Sequence, residues 1–318
     1  MTAPTTTGPA GGATAPGRAG PRRRGHSPAV RRQHRAAYLL VAPFMVVFAA
    51  MLVVPLVYAA YLSLFREQLV GGRSFVGLAN YARALGDSAF GEGVLRVSLF
   101  LVIQVPIMLG LALLFALALD SGRLYAQRFV RLSIFLPYAV PSVVATLMWG
   151  YLYGPDFGPF TQIAEGLSLP APPFLSSSWM LGSLMNILTW EFIGYNMIIM
   201  FAALRAVPAD LYEAARMDGA GELRIAWSIK IPAIRSAILL TVIFSVIGSY
   251  QLFNEPNLLQ TLAPNVIDSA YTPNLYAYNL AFTSQDLNYA AAVAFLLAAG
   301  IAVVSYVVQL TSQRRARS

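Results

Sequence analysis

The sequence predicts an all-α membrane protein with six transmembrane helices. Hydrophobic residues make up 57% of its 318 positions and charged residues only 11%, against about 25% charged residues in an ordinary soluble domain. A soluble domain of this size could not bury so much apolar surface. Six runs have roughly the 20 apolar residues needed to cross a bilayer. They lie at about 38–65, 94–119, 130–153, 179–204, 237–254 and 290–310.

The first apolar run follows a basic tail at residues 1–37, which is predicted to be disordered and cytoplasmic. Positions 1–21 contain mainly Thr, Pro, Gly and Ala without periodicity, which predicts disorder. The arginines that follow are typical of a cytoplasmic flank beside anionic lipid, and nucleic-acid binding is the less favoured interpretation. Because the run at 38–65 far exceeds the roughly 7–15 apolar residues of a signal peptide, we interpret it as an uncleaved membrane helix.

The charge distribution predicts the orientation of the chain. Eighteen of the 22 basic residues lie in the two tails and in the loops 120–131 and 205–236, which share one side in a six-span arrangement. The positive-inside rule then places both termini in the cytoplasm. The predicted segments are a first helix with its external loop (38–93), a core of five helices (94–310) and a basic cytoplasmic C-terminus (311–318).

Several kinds of chemistry are excluded by composition. The chain has no cysteine and only two histidines, His26 and His34, both in the N-terminal tail. Histidine-ligated metal sites and Ser-His-Asp triads are therefore absent from the body of the chain. The only lysine, Lys230, lacks the glycines and hydroxyl of a P-loop. We expect a non-catalytic chain without a metal or cofactor, so that any ATP would be bound by another subunit.

Proline spacing predicts a break in the third span. Pro137 and Pro141 are one helical turn apart, and each removes a backbone hydrogen bond. A bend fixed by packing is favoured over a moving hinge.

The segment 205–236 is charged yet helical in pattern. A first short helix is predicted to begin at Pro208 and to stop at Gly219, which is free to adopt positive φ. A second runs from Glu222 to Pro232. Its predicted apolar face consists of Leu223, Trp227 and Ile231. Two short helices joined by a glycine turn would form a rigid projection into the cytoplasm.

A spaced motif lies in this segment: Glu-Ala-Ala, three residues, Gly, nine residues, then Ile-x-Ile-Pro. It contains Glu213, Ala214, Ala215, Asp218, Gly219, Ile229, Ile231 and Pro232. The spacing resembles the EAA loop of binding-protein-dependent ABC importer permeases, with Ile231 a conservative departure from the family's leucine. Further stretches are similar to the maltose and glycerol-phosphate branch that imports carbohydrates. They lie at 75–81, 135–149, 253–256 and 288–292.

The resemblance implies a type I ABC importer permease fold in a bacterial cell membrane. The partners it implies are a second permease, two ATPase subunits that bind ATP and grip the loop, and an extracytoplasmic sugar-binding protein. The implied cargo is a disaccharide or oligosaccharide. An ion-coupled secondary transporter is the alternative, which explains the spans and proline kinks but not the loop.

Polar residues within the spans are the candidates for a substrate path. They are Glu191, Tyr195, Asn196, Ser245, Ser249 and Gln251. Aligned on the EAA motif, Tyr195 and Ser245 fall on positions that line the sugar site of the maltose-type permease. Hydrogen bonding between helices is the alternative role for these side chains. Glu191 could bind a substrate hydroxyl, pair with a partner chain or be neutral.

Overall fold

The computed structural model describes residues 28–68, 71–122 and 124–315, and side chains between positions 37 and 311. Residues 1–27 of the predicted disordered tail lie outside these residues, as does the end of the predicted basic C-terminus at 316–318. The chain divides into two compact units, Met1–Leu56 and Val57–Ser318.

The first helix begins earlier than the sequence predicts. α1 (Pro28–Phe48) includes residues 28–37, which the sequence analysis assigns to the disordered tail, so that boundary is corrected. Proline suits a first helical turn, and the Ala, Arg and Gln residues after it favour helix. A π turn (Ala49–Val53) leads into α2 (Val54–Ser63) just before Pro55, which cannot donate a backbone hydrogen bond.

Helices account for most of the described residues of the second unit. In chain order they are α3 (Ala79–Leu85), α4 (Ser88–Asp120), α5 (Gln127–Phe135), α6 (Ser142–Leu152), α7 (Pro159–Gly166), α8 (Met180–Arg205), α9 (Ala209–Met217), α10 (Glu222–Ile225), α11 (Ile231–Ala233), α12 (Arg235–Tyr250), α13 (Asn254–Leu259), α14 (Pro273–Phe282) and α15 (Leu287–Arg315). Among the described residues of the whole chain, five helices are long and apolar enough to cross a membrane, or six if α5 and α6 form one span. The predicted helical membrane fold is confirmed.

The third span is broken where the sequence predicts. After α5, a 3-10 turn (Leu136–Ala139) leads to Val140 and Pro141, and the axis turns by 96° before α6. Val140 is extended, with φ −78° and ψ 129°, because the ring of the following proline disfavours the helical conformation at the preceding residue.

A small antiparallel ribbon was not predicted. β1 (Phe65–Gln68) pairs with β2 (Gly72–Phe75), with Phe65 opposite Phe75. The side chain of Asn80 is buried beside the start of β1, where it donates hydrogen bonds to the carbonyl oxygens of Ser63 (2.9 Å) and Phe65 (2.8 Å). The alternation that marks a strand is too short here to detect in the sequence.

The core is centred on α8. Ala112 and Ala116 of α4 are fully buried in one cluster with Met197 and Met200 of α8. Small residues one turn apart let helix backbones approach closely, which is how helices pack when lipid provides no hydrophobic drive between them.

At the end of α4 remote from the 205–236 loop, Asp87 joins three helices. Its carboxylate accepts hydrogen bonds from the hydroxyls of Tyr276 on α14 (2.6 Å) and Tyr289 on α15 (2.7 Å). It also caps α4 through the amide of Ala89. Burial alone would raise the pKa of Asp87, but the hydrogen bonds, led by that of Tyr276, outweigh burial and lower the pKa.

We predict that Asp87→Asn destabilises the protein at neutral pH and that this effect fades in acid. A carboxyl whose pKa is lower in the folded state stabilises that state above its ordinary value of 3.8, and the stabilisation is lost as pH falls through the folded-state pKa. Melting temperatures of the two proteins from neutral pH to about pH 3 check this. Asp156→Asn, at an exposed position after α6, is the control. A difference that stayed constant with pH would contradict the carboxylate's role.

Candidate functional site: a central cavity and a loop of two short helices

A cavity of about 380 Å³ lies among α4, the 3-10 turn, α8, α12 and α13. Small-molecule sites typically occupy roughly 300–1,000 Å³. Five of the six predicted path residues line it, namely Tyr195, Asn196, Ser245, Ser249 and Gln251. The structure therefore brings together side chains from α8 and from the end of α12, although their contact with a substrate stays a prediction.

Aromatic rings form one wall of this cavity. The ring of Tyr195 stacks on that of Tyr138, with centroids 4.8 Å apart and planes 22° from parallel. Phe192, one turn before Tyr195 on α8, meets Tyr138 edge-on at 5.9 Å. Flat apolar faces of this kind suit the C–H faces of a sugar ring, and the tyrosine hydroxyls add hydrogen-bonding groups.

The polar side chains that line the cavity differ in how freely they can bind a ligand. Asn196 is buried and donates to the carbonyl oxygen of Phe192 (2.9 Å), and Ser249 is buried and donates to that of Ser245 (2.8 Å). These two bonds lie within their own helices, so both side chains also serve helix structure. Gln251 is exposed and Ser245 half-buried, which leaves them better placed to meet a ligand.

Glu191 does not line the cavity. The residue is 4% exposed, and Oε2 is buried without a hydrogen-bond partner in the part of the chain that the structure describes. Glu255 is the acidic residue that does line the cavity. The predicted contact between Glu191 and a substrate therefore has no support from the cavity's geometry.

Sequence reasoning missed several lining residues, namely Gln104, Tyr138, Ser142, Asn254 and Glu255. Gln104 was detectable as a single amide in the apolar run 94–119. It is buried, and its Nε2 donates to Thr189 Oγ1 of α8 at 3.3 Å. Tyr138 belongs to the proline-rich break, and only the bend turns it toward α8.

Gly194 fixes the aromatic wall in place. A Cβ added at this position would overlap the carbonyl oxygen of Ile134 and lie 2.6 Å from the Cα of Phe135. The backbones of α5 and α8 therefore touch next to Tyr195, and this contact sets the distance between Tyr195 and Tyr138.

We predict that Gly194→Ala destabilises the protein by about 1–3 kcal/mol, as overpacking of a filled interface does. Heating followed by size-exclusion analysis in detergent measures the loss. Gly182→Ala on the same helix is the matched control, because no atom lies within 4 Å of its added Cβ. Equal melting temperatures for the two variants would show that the backbone contact is not a constraint.

The 205–236 loop has the predicted helix, glycine turn and helix. After α9, the amide of Gly219 donates to the carbonyl of Arg216 (3.0 Å) and that of Ala220 to the carbonyl of Ala215 (2.9 Å). This pair of bonds is a Schellman motif, which requires a left-handed residue after the helix. Gly219 is this left-handed residue, with φ +80°. The spacing from the Glu-Ala-Ala triplet to Gly219 therefore places the glycine at the position where α9 ends.

The second helix differs in register from the prediction. A π turn (Ala226–Lys230) separates α10 from α11. Leu223 and Trp227 are exposed as one face, but Ile231 is half-buried, because the wider turn rotates the residues that follow. The predicted i, i+4, i+8 face is therefore corrected to its first two members.

The motif residues divide between surface and interior. Glu213, Ala214, Asp218, Gly219 and Pro232 are exposed, whereas Ala215 and Ile229 are half-buried. Apart from Pro232, which belongs to α11, the exposed members lie on or beside α9 and can meet a partner.

Lys230 turns inward and binds the end of α4. Its Nζ lies 2.6 Å from Asp120 Oδ2, and both side chains are 5% exposed. Nζ also lies 4.9 Å from the ring centroid of Tyr212 on α9. A carboxylate as the last residue of a helix is opposed by the helix dipole, so Asp120 needs a cation nearby. The ion pair connects both short helices to α4.

We predict that Lys230→Met destabilises the protein by about 3–5 kcal/mol, because it leaves the Asp120 carboxylate buried and unpaired. Melting in detergent measures the change, and Lys230→Met with Asp120→Asn should recover part of it. The exposed pair Arg216–Glu222 (3.2 Å) in the same loop is the control. Its loss through Arg216→Met should cost only about 0–1 kcal/mol. Similar losses for Lys230→Met and Arg216→Met would contradict a special role for the buried pair.

Comparison with known proteins identifies this architecture. A family model for the inner membrane component of binding-protein-dependent transport systems matches residues 108–317. The chain belongs to this family. The permease is 30% identical over 256 residues to the diacetylchitobiose uptake system permease protein NgcF of Streptomyces coelicolor. This alignment covers 76% of this chain and 71% of the relative. It is 30% identical over 275 residues to the lactose transport system permease protein LacF of Rhizobium radiobacter, with coverage of 85% and 91%.

Solved structures agree on the fold. The permease superimposes with a TM-score of 0.78, at 17% identity, on a chain of a bacterial alginate ABC transporter in complex with an alginate pentasaccharide-bound periplasmic protein. The match covers 90% of this chain and 97% of that chain. This similarity confirms the predicted type I importer permease fold.

Proposed function

We propose that this permease forms one half of the pathway of a bacterial sugar importer. A second permease chain completes the pathway, two ATPase subunits bind ATP beneath it, and an extracytoplasmic binding protein delivers the sugar. The observation that supports this most strongly is the joint presence of a polar, aromatic cavity within the spans and an exposed two-helix loop tied to α4.

The cavity supports a sugar as the cargo. Stacked tyrosines beside an exposed amide and a serine match the apolar faces and hydroxyl groups of a sugar ring. The relatives named for diacetylchitobiose and lactose extend this to a disaccharide or a longer oligosaccharide.

The loop supports coupling to a separate ATPase. Leu211, Met217, Leu223 and Trp227 expose more than half of their surface, and large apolar side chains in a charged loop favour a protein partner. The basic residues gathered at this end favour a cytoplasmic position for the loop and both termini. ATP then drives the cavity between inward-open and outward-open forms without binding to this chain.

We predict that Tyr195→Ala lowers sugar uptake at subsaturating concentration about tenfold or more, since a stacking face and a hydroxyl are worth about 1–3 kcal/mol. Uptake by proteoliposomes containing the whole complex measures it, together with complex abundance and basal ATPase activity, which should not change. Tyr195→Phe keeps the ring and should retain part of the uptake. Tyr306→Ala, at an exposed position on α15, is the control. A defect that tracks lost abundance would make Tyr195 a packing residue.

We predict that Gly219→Pro separates ATP hydrolysis from uptake in a complex that still inserts. Proline fixes φ near −65° and has no amide hydrogen, whereas this turn has φ +80° and a hydrogen bond from that amide. The ratio of sugar transported to ATP hydrolysed in proteoliposomes measures coupling. Gly221→Pro is the matched control, because Gly221 already has φ −72°. Normal coupling in Gly219→Pro would refute a fixed turn.

A further inference from the structure

A second cavity lies at the end of the spans that carries the 205–236 loop. It has a volume of about 480 Å³ and is enclosed by the end of α4, the start of α5 and the end of α8. Three arginines line it, Arg128, Arg131 and Arg205. Arg131 extends past the ring of Phe201, with its Cζ 5.9 Å from the ring centroid.

The charge of this cavity is unbalanced. Asp120 is the acidic residue in its lining, and that carboxylate is already paired with Lys230 at 2.6 Å. None of the three arginines has an ion pair with a carboxylate in the ranges 28–68, 71–122 and 124–315. Three guanidinium groups converging on one space repel each other, so the arrangement is favoured by a bound anion.

The donor set favours a phosphate. Guanidinium groups present paired N–H donors that match phosphate oxygens, and several of them form the usual site for such a group. Gln127 holds the wall between α4 and α5 by donating to the carbonyl oxygen of Leu119 at 2.8 Å.

An apolar stripe begins beside the arginines. Phe129, Leu132 and Leu136 recur at i, i+3 and i+7 along the third span and are 58–70% exposed. Because they belong to a membrane-spanning segment that also carries Arg128 and Arg131, acyl chains can lie against them. A basic cavity and an exposed apolar stripe on one span together have the chemistry of a phospholipid site at the cytoplasmic surface.

We propose that Arg128, Arg131 and Arg205 bind the phosphate of an anionic phospholipid from the cytoplasmic leaflet. This proposal rests on the orientation given under the proposed function. A bound lipid holds the ends of α4, α5 and α8 together beside the Asp120–Lys230 pair, at the base of the coupling loop.

The test uses the whole importer complex in nanodiscs of phosphatidylcholine with or without phosphatidylglycerol, and native mass spectrometry of the lipids it retains. The wild type should retain phosphatidylglycerol selectively. Arg131→Gln with Arg205→Gln should lower its affinity by at least roughly tenfold, and Arg131→Lys with Arg205→Lys, which keeps the charge, should recover part of it. The matched control, Arg216→Gln with Arg224→Gln, removes the same charge from the loop and should leave the selectivity intact.

Three results would overturn the proposal. Equal loss of phosphatidylglycerol in the cavity and loop variants would reveal a general charge effect. Thermal stabilisation by inorganic phosphate that depends on the cavity arginines, without lipid selectivity, would assign the site to a soluble anion. Loss of the ATPase subunits with unchanged lipid retention would make these arginines a protein contact. Lipid retention needs neither sugar nor ATP hydrolysis, so its outcome is separate from that of the uptake experiments.

Discussion

The contact between the backbones of α5 and α8 at Gly194 is the constraint on which the site depends. A side chain at this position would separate the bent third span from α8 and would break the stacking of Tyr195 on Tyr138. The proline-induced bend then turns the chain away and leaves room for the cavity. The packing of the third span on α8 therefore has two results. It brings the two backbones into contact at Gly194, and it leaves the cavity open next to the bend.

Under the proposed function, the Asp120–Lys230 pair connects the cavity to the partner that binds the loop. The two residues are 110 positions apart and join the last turn of α4 to the π turn between α10 and α11. Because α4 also packs along α8, the proposed coupling would pass a displacement of the loop to helices that line the cavity. An ion pair suits this purpose, since separation of its buried charges is opposed strongly in a medium of low dielectric constant.

The sequence predicted much of this arrangement because membrane helices and helix ends have local signals. Apolar run length located the spans, and the spacing from Glu213 to Gly219 located a helix end that the Schellman bonds confirm. Polar residues within the spans led to five members of one cavity lining, but they also led to Glu191, which lies outside it. The burial of Lys230 could not be predicted, because a π turn changes the register and its partner is distant in sequence. Gln104 was overlooked because a single amide scarcely changes the hydropathy of an apolar run.

Under the proposed function, ATP-driven movement of the loop opens the cavity alternately to the two sides of the membrane. A cysteine at Gly248 tests it directly, because this cavity position is exposed, has no atom within 4 Å of an added Cβ, and lies in a chain without cysteine. The measurement is the rate at which an impermeant thiol reagent modifies Gly248→Cys from each side of proteoliposomes, with and without trapped ATP. Alternating access predicts modification from the cytoplasmic side without nucleotide and from the opposite side with ATP trapped. Modification from the same side in both states would contradict it.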